Sequence, residues 1–463
     1  MKNNTSIASS FRDPSGFVFY RGESLCRQIN LCYKEDYDYL INSGLYQSLV
    51  SQELLVRHEE IKIDTSESDE VYKIIRPEFI PFISYPYEWS YSQLKDAALT
   101  TLKIQKNAFK FGMSLKDCSA YNIQFLRGKP IFIDTLSFEK YKDNDPWVAY
   151  RQFCQHFLAP LALMSLTDIR LNQLLRIYID GVPLDLASSL LPLKSRFRFS
   201  LLCHIHLHAK SQKHYENKTV RKNGRKIGRL SFLGLLDSLE TAVSRMKWQA
   251  KNTEWAEYYN NTNYSQDSLE HKKRIICDFL DEIDATSVWD LGANDGLFSR
   301  IASDRGINVV SLDADPSAVE NNYLTCIKNG TTNILPLLMD LINPSGGLGW
   351  ENSERMSLFE RCPVDTVFAL ALIHHLAISN NLPFSRIASF FSRICTNLII
   401  EFVDKSDSQV QRLLCSREDI FHSYTPDIFK EAFTQYFRIL DSENIRGTKR
   451  TLFLMQRKDL NTL

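Results

Sequence analysis

Beyond Trp248 the apolar positions follow a repeating order: a short apolar run, a turn, a stretch with apolar residues at helical spacing, then another short run. Period-two or continuous apolar runs predict strands at Ser287 to Leu291, Asn308 to Asp313, Asn333 to Met339, Asp365 to Leu370 and Asn397 to Phe402. Helical patterns separate them, and such alternation produces a parallel sheet with right-handed crossovers. Two further runs, Tyr436 to Asp441 and Thr451 to Gln456, lie too close together for a crossover helix, so one of them must run antiparallel.

Upstream the pattern is different. Phe17 to Ile29 alternates about Gly22 and predicts a hairpin; Asp36 to Val50 has helical spacing; Val71 to Ile75 and Phe79 to Ser84 predict short strands separated by Pro77 and Pro81. Leu94 to Phe111 predicts an amphipathic helix, and Asn122 to Phe138 a short hairpin. Trp147 to Leu175 and Ser200 to Ser211 carry apolar residues at helical spacing, with the short alternation RFRF from Arg196 between them. The expected organisation is an α+β region over 1–145, a helical connector over 146–252 and an α/β domain over 253–463.

Composition narrows the function classes. The 463 residues exceed what one core usually serves, and 44% hydrophobic residues exclude general disorder. Fifty-five basic and 55 acidic side chains cancel, so no global field favours nucleic acid or anionic lipid, and partners have to be sought locally. Ten cysteines without a Cys-x-x-Cys pair fit reduced thiols, which makes the cytoplasm the expected location. Met1 to Ser10 lacks the apolar run of a signal or anchor, and no stretch approaches the roughly 18 uncharged apolar residues of a spanning helix. The basic run KTVRKNGRKIGRLS from Lys218 reads as a solvated loop or a phosphate patch, and is assigned no function.

The chemistry concentrates in VWDLGANDGLFSRIA from Val288, where an acid ends a strand, Gly292 and Gly296 make the turn, and a helix follows. Glycine permits positive φ and close backbone approach, and free N–H groups at a helix start favour an electron-rich ligand group. Asp290 is placed to accept hydrogen bonds from a ligand's amino group. Asp313, ending the second strand, is placed to bridge both hydroxyls of a ribose. The G-x-G-x-x-G fingerprint of a dinucleotide site is absent.

DLGANDG, Asp313, LLMDL around Asp340 and DTVFALALIHHL from Asp365 resemble, in order and spacing, the motifs of class I S-adenosylmethionine-dependent methyltransferases. The resemblance covers roughly Thr253 to Arg457. It implies a Rossmann-like domain in which Asp290, Gly292, Asn294 and Gly296 contact the methionine part of S-adenosylmethionine, Asp313 the ribose and Asp340 the adenine amino group, with Leu341 flanking the ring. The other reading is a Rossmann-like domain that has lost its ligand. His374 and His375 follow the fourth strand, where either removes a proton from an acceptor or simply packs. Glu401 orients an acceptor or holds a loop backbone; Trp255, Tyr258 and Tyr259 form a lid or an aromatic cluster.

A second constellation, LKDCSAYNIQFLRGKPIFIDTLSFE from Leu115, resembles the catalytic loop and metal-binding strand of protein-kinase-like phosphotransferases. That likeness implies Asp117 as the hydroxyl-proton acceptor and Asn122 and Asp134 as metal ligands, with ATP and Mg as cofactors. Lys73 and Arg27 are equal candidates for the phosphate cation. Leu115 stands where the family has histidine, and Thr135 and Leu136 where it has a glycine-bearing strand, so an active centre, a degenerate kinase-like binding module and coincidental turn chemistry all stay open.

The pairing of the two parts is similar to bacterial enzymes that phosphorylate and methylate surface polysaccharides. ISYPYEWSYSQLKDAALTTLKIQK with the Asp117 loop looks like bacterial methyltransferases grouped with host-specific nodulation proteins. The resemblance implies transfer of a methyl group to an oxygen or nitrogen of a small-molecule or glycan acceptor, with a glycolipid among the candidates. No nucleic-acid partner and no membrane span are expected, and the sequence fixes no oligomeric state.

Overall fold

A computed structural model describes residues 4–62, 70–210, 227–249, 264–415 and 418–458. The chain divides into two compact units, Met1–Gln249 with Gly347–Arg355, and Ala250–Gly346 with Met356–Leu463. The segment 146–252, read from sequence as a connector, falls almost wholly within the first.

The first unit opens with a five-stranded antiparallel sheet of β1 (Asn4–Ser6), β2 (Gly16–Arg21), β3 (Ser24–Asn30), β4 (His58–Ile61) and β5 (Val71–Pro77), in the order β1-β2-β3-β5-β4. The hairpin about Gly22 is as expected, because φ +62° at that glycine closes the turn. Phe79 to Ser84 forms no strand. Ser84 N–H instead donates to the Gln124 side chain at 2.9 Å, and Trp89 Nε1 donates to Ser84 Oγ at 2.9 Å, so side chains replace a ladder here.

The long helix starts at Tyr91, earlier than the apolar periodicity implies, because Ser90 and Gln93 form a reciprocal capping box; it ends at Lys110. β6 (Met113–Leu115) pairs with β9 (Phe138–Lys140), and β7 (Ile123–Leu126) with β8 (Lys129–Phe132), enclosing the Asp117 to Asp134 segment. Helical segments follow from Tyr150 to Leu166 and from Phe199 onward, and the RFRF alternation lies in a short 3₁₀ turn and the start of a helix rather than a strand.

The second unit is an α/β domain built on a seven-stranded mixed sheet. β10 (Ser287–Leu291), β11 (Asn308–Asp313), β12 (Ile334–Leu338), β13 (Val364–Ala369) and β14 (Cys395–Val403) are parallel; β16 (Arg450–Arg457) runs antiparallel between β14 and β15 (Phe437–Asn444). The sheet order is β12-β11-β10-β13-β14-β16-β15. The helix Gln266–Ile283 packs Ile275, Ile276, Phe279 and Leu280 into a core with Val288, Val309, Ile399 and Leu454. β11 and β13 leave β10 on opposite sides, so a crevice opens beyond its carboxyl end, where ligands of such sheets bind.

Candidate functional site

In the parallel ladder Asp290 pairs with Ser311 and so shares its face of the sheet; Asp313, two residues on from Ser311, returns to that face. The two carboxylates therefore stand on one side of the strand tips. Beneath them Ser299 Oγ donates to Asp290 Oδ2 at 2.6 Å, and Asn322 Nδ2 donates to Ser311 Oγ at 2.8 Å. The intervening bend is stitched to β11: Gly292 and Ala293 N–H both donate to the Leu312 carbonyl, and Asn294 N–H donates to Asp313 Oδ2 at 2.7 Å. Gly292, Asn294 and Gly296 all have positive φ. A Cβ at Gly296 would fall 2.4 Å from Asn322 Oδ1, so this glycine is demanded by packing as much as by any ligand.

Burial pushes the Asp290 carboxyl up to about 6, against the Ser299 hydrogen bond and the Lys272 ammonium. Asp313, although partly exposed, is also lifted by burial to about 6, against N–H donation from Asp315 and Asn294. Neither forms an ion pair with a described residue. Asp340 is exposed beyond β12, its Oδ1 accepting from Ile342 N–H at 2.9 Å; Leu341 beside it is half-buried. Met339 N–H donates to the Asp313 carbonyl at 2.8 Å, which brings this turn to the same edge.

At the tip of β13, Ala371 takes φ +51° and donates its N–H to Glu401 Oε2 at 2.9 Å. Glu401 is fully buried and also receives Lys272 Nζ at 2.6 Å, Arg450 Nη1 at 3.3 Å and the Tyr264 hydroxyl. Arg450 in turn holds Asp407 through Nε at 2.8 Å and Nη2 at 3.2 Å. Burial alone would raise Glu401, but Lys272 and Arg450 outweigh it and hold the carboxyl down at about 2. Glu401 thus serves the loop backbone and a closed ionic group; with no exposed surface it does not reach an acceptor.

His374 is fully buried with no hydrogen-bond partner on either ring nitrogen among the described residues, and burial, with His375, Arg450 and Lys272 nearby, holds it far below the usual histidine range. His375 is half-buried and pushed down to about 4 by burial and Arg450; the two rings lie 4.2 Å apart. Both imidazoles are neutral at pH 7. The sequence reading missed Tyr264, Lys272, Asp407 and Arg450. Lys272 carried a signal: it shares the apolar helix face with Ile275, Ile276 and Phe279, where a lysine needs a buried partner. Trp255, Tyr258 and Tyr259 lie outside the described residues, as does most of the basic run from Lys218.

In the first unit the structure brings Asn122 and Asp134 together over one hydroxyl: Asn122 Nδ2 lies 3.4 Å from Ser137 Oγ, which donates to Asp134 Oδ2 at 2.6 Å. Asp134 Oδ1 accepts from Leu136 N–H at 2.9 Å and pairs with Arg27 Nη1 at 2.6 Å. Lys73 instead pairs with Glu60 at the surface. Asp117 Oδ1 accepts from Ser119 N–H at 2.9 Å and from Gln152 Nε2 at 2.7 Å. Among the described residues no group of three or more His, Cys, Asp or Glu is placed to hold a metal ion.

No protein-family model matches the chain. It is 33% identical over 461 residues to the nodulation protein NoeA of Rhizobium meliloti (strain 1021), covering 98% of this chain and 96% of that protein. Among solved structures it is similar to the bifunctional kinase-methyltransferase WbdD, at 16% identity and TM-score 0.29, over 42% of this chain and only 40% of WbdD. It is also similar to magnesium protoporphyrin IX methyltransferase (ChlM) from Synechocystis PCC 6803 with bound SAH, at 13% identity and TM-score 0.32, over 44% of this chain and 92% of that one. At these scores the structural likenesses carry no argument.

Proposed function

We propose that this chain, which belongs to the family of the nodulation protein NoeA, transfers a methyl group from S-adenosylmethionine to an oxygen or nitrogen of an acceptor. The observation that carries the reading is the pair Asp290 and Asp313 on one sheet face at the strand tips, beside a bend whose residues have positive φ. Two carboxyls lifted by burial and lacking an ion pair among the described residues fit a ligand that brings an ammonium group to one and a sugar diol to the other. Gly292, Asn294 and Gly296 would face the methionine part, Asp340 the adenine amino group, and Leu341 the ring.

When bound, the donor's sulfonium supplies the leaving group, so this chain's part is to orient and to exclude water. Of the two histidines, His375 is the half-buried one and would meet the acceptor's proton as a neutral base; His374 would shape the wall behind it. A glycan or glycolipid hydroxyl is the acceptor class we favour, on the resemblance of ISYPYEWSYSQLKDAALTTLKIQK and the Asp117 loop to nodulation-associated bacterial methyltransferases. Calorimetry with S-adenosylhomocysteine should show binding that weakens as pH falls through about 6, because protonation of Asp290 and Asp313 removes their acceptor charge. No binding at pH 7.5 would refute the assignment.

For the first unit we propose a degenerate kinase-like module that holds the acceptor, rather than a second catalytic centre. The residues as arranged do not fit a divalent ion: Arg27 already neutralises Asp134, whose second oxygen is engaged by Ser137. Titration with ATP and magnesium should give no heat. Binding that Asp134→Asn abolishes would establish the bifunctional reading instead, with Asp117 as base and Asn122 and Asp134 as ligands.

A further inference from the structure

Three of the four most exposed large apolar side chains described in the first unit lie in one short stretch. Leu193 is 73% exposed, Phe197 91% and Phe199 75%, and Leu190 just before them is exposed as well. Lys194, Arg196 and Arg198 interleave with them and are exposed too. From Leu186 to Lys210 the chain has no aspartate or glutamate, whereas its total charge is zero. Leu230, 87% exposed, begins the helix Arg229–Arg245 that packs against the short helix Phe199–Leu201.

This display rests on a built support. Ser195, inside the stretch, is fully buried, and its hydroxyl meets His206 Nε2 at 2.8 Å; His206 Nδ1 meets Ser188 Oγ at 2.7 Å. One buried imidazole therefore ties the helix Leu184–Leu190, the turn Leu193–Phe197 and the helical turn Leu202–Leu207 together. The phenylalanines project from a fixed base, which lowers the backbone ordering cost of binding.

We propose that Leu190, Leu193, Phe197 and Phe199, with Lys194, Arg196 and Arg198, dock the protein onto an anionic phospholipid bilayer. Two phenylalanines this exposed present on the order of 300 Å² of apolar surface between them, a large share of the biggest patch a monomer normally leaves to water. Arginine beside phenylalanine suits a lipid interface, because the rings enter the acyl boundary while the guanidinium groups stay at the phosphates. The exposed leucines count against single-stranded nucleic acid, since they offer no face for a base to stack on. No described helix is long and apolar enough to cross a membrane. The inference does not depend on the donor site.

Co-flotation of the full chain with vesicles tests it. Vesicles of phosphatidylcholine plus phosphatidylglycerol should capture the protein, pure phosphatidylcholine about tenfold less, and about 0.5 M salt should reduce capture. Phe197→Ser with Phe199→Ser should cut capture about tenfold. Arg196→Glu with Arg198→Glu should remove the salt-sensitive part, and both variants should melt like the parent, since all four side chains are exposed. Absence of capture, equal capture of the double-serine variant, or binding of single-stranded RNA but not vesicles through the same residues would overturn the proposal.

Discussion

Asp313 has two tasks, ordering the bend and presenting acceptors to a ligand. Its Oδ2 orders the bend through Asn294 N–H, while its lone pairs toward the crevice are the ones a ribose would use. Asp313→Ala removes both and should abolish donor binding. Asp313→Asn keeps an amide oxygen for only one of the two N–H donors, Asn294 and Asp315, and loses the charge, so it should bind S-adenosylhomocysteine at least tenfold more weakly, about 1.4 kcal/mol or more. Equal affinity of the Asn variant would remove the ribose assignment. His375→Ala should lower kcat with little effect on donor affinity, measured in one methyl-transfer assay and one titration.

At the level of elements, the parallel strands were legible because each is a short apolar run closed by turn residues, and β10 and β11 begin and end where the pattern predicts. Phe79 to Ser84 misled because its apolar residues satisfy a strand pattern while Pro81 removes a ladder donor and the Gln124 side chain takes the Ser84 N–H. Asp290 and Asp313 were legible from their places at strand ends. The Lys272, Glu401, Arg450 and Asp407 group was not, since it joins a helix, two strands and a loop far apart in sequence, and only β16 running antiparallel beside β14 brings Arg450 to Glu401. Glu401→Gln leaves two buried cations short of charge and should cost about 3–5 kcal/mol in urea unfolding; a loss under about 1 kcal/mol would show that water reaches the group.

Across the whole molecule none of the ten cysteines is joined in a disulfide, and Cys32 and Cys415 are exposed. Burial raises the Cys118, Cys154 and Cys395 thiols well above their ordinary range. Brief alkylation of native protein at pH 8 should label Cys32 and Cys415 first and leave Cys118, Cys154 and Cys395 untouched until urea is added, as peptide mass spectrometry would show. Early labelling of Cys118 would mean that the first unit opens readily.

The ionic group beneath the β13 tip pairs two cations with two anions and has no surplus of either sign. Its members are consequently hard to replace one at a time over evolutionary history. Relatives in which leucine or methionine stands at position 272 should also have given up the acid at 401, so correlated replacement at these positions across the NoeA family is the expected genetic trace.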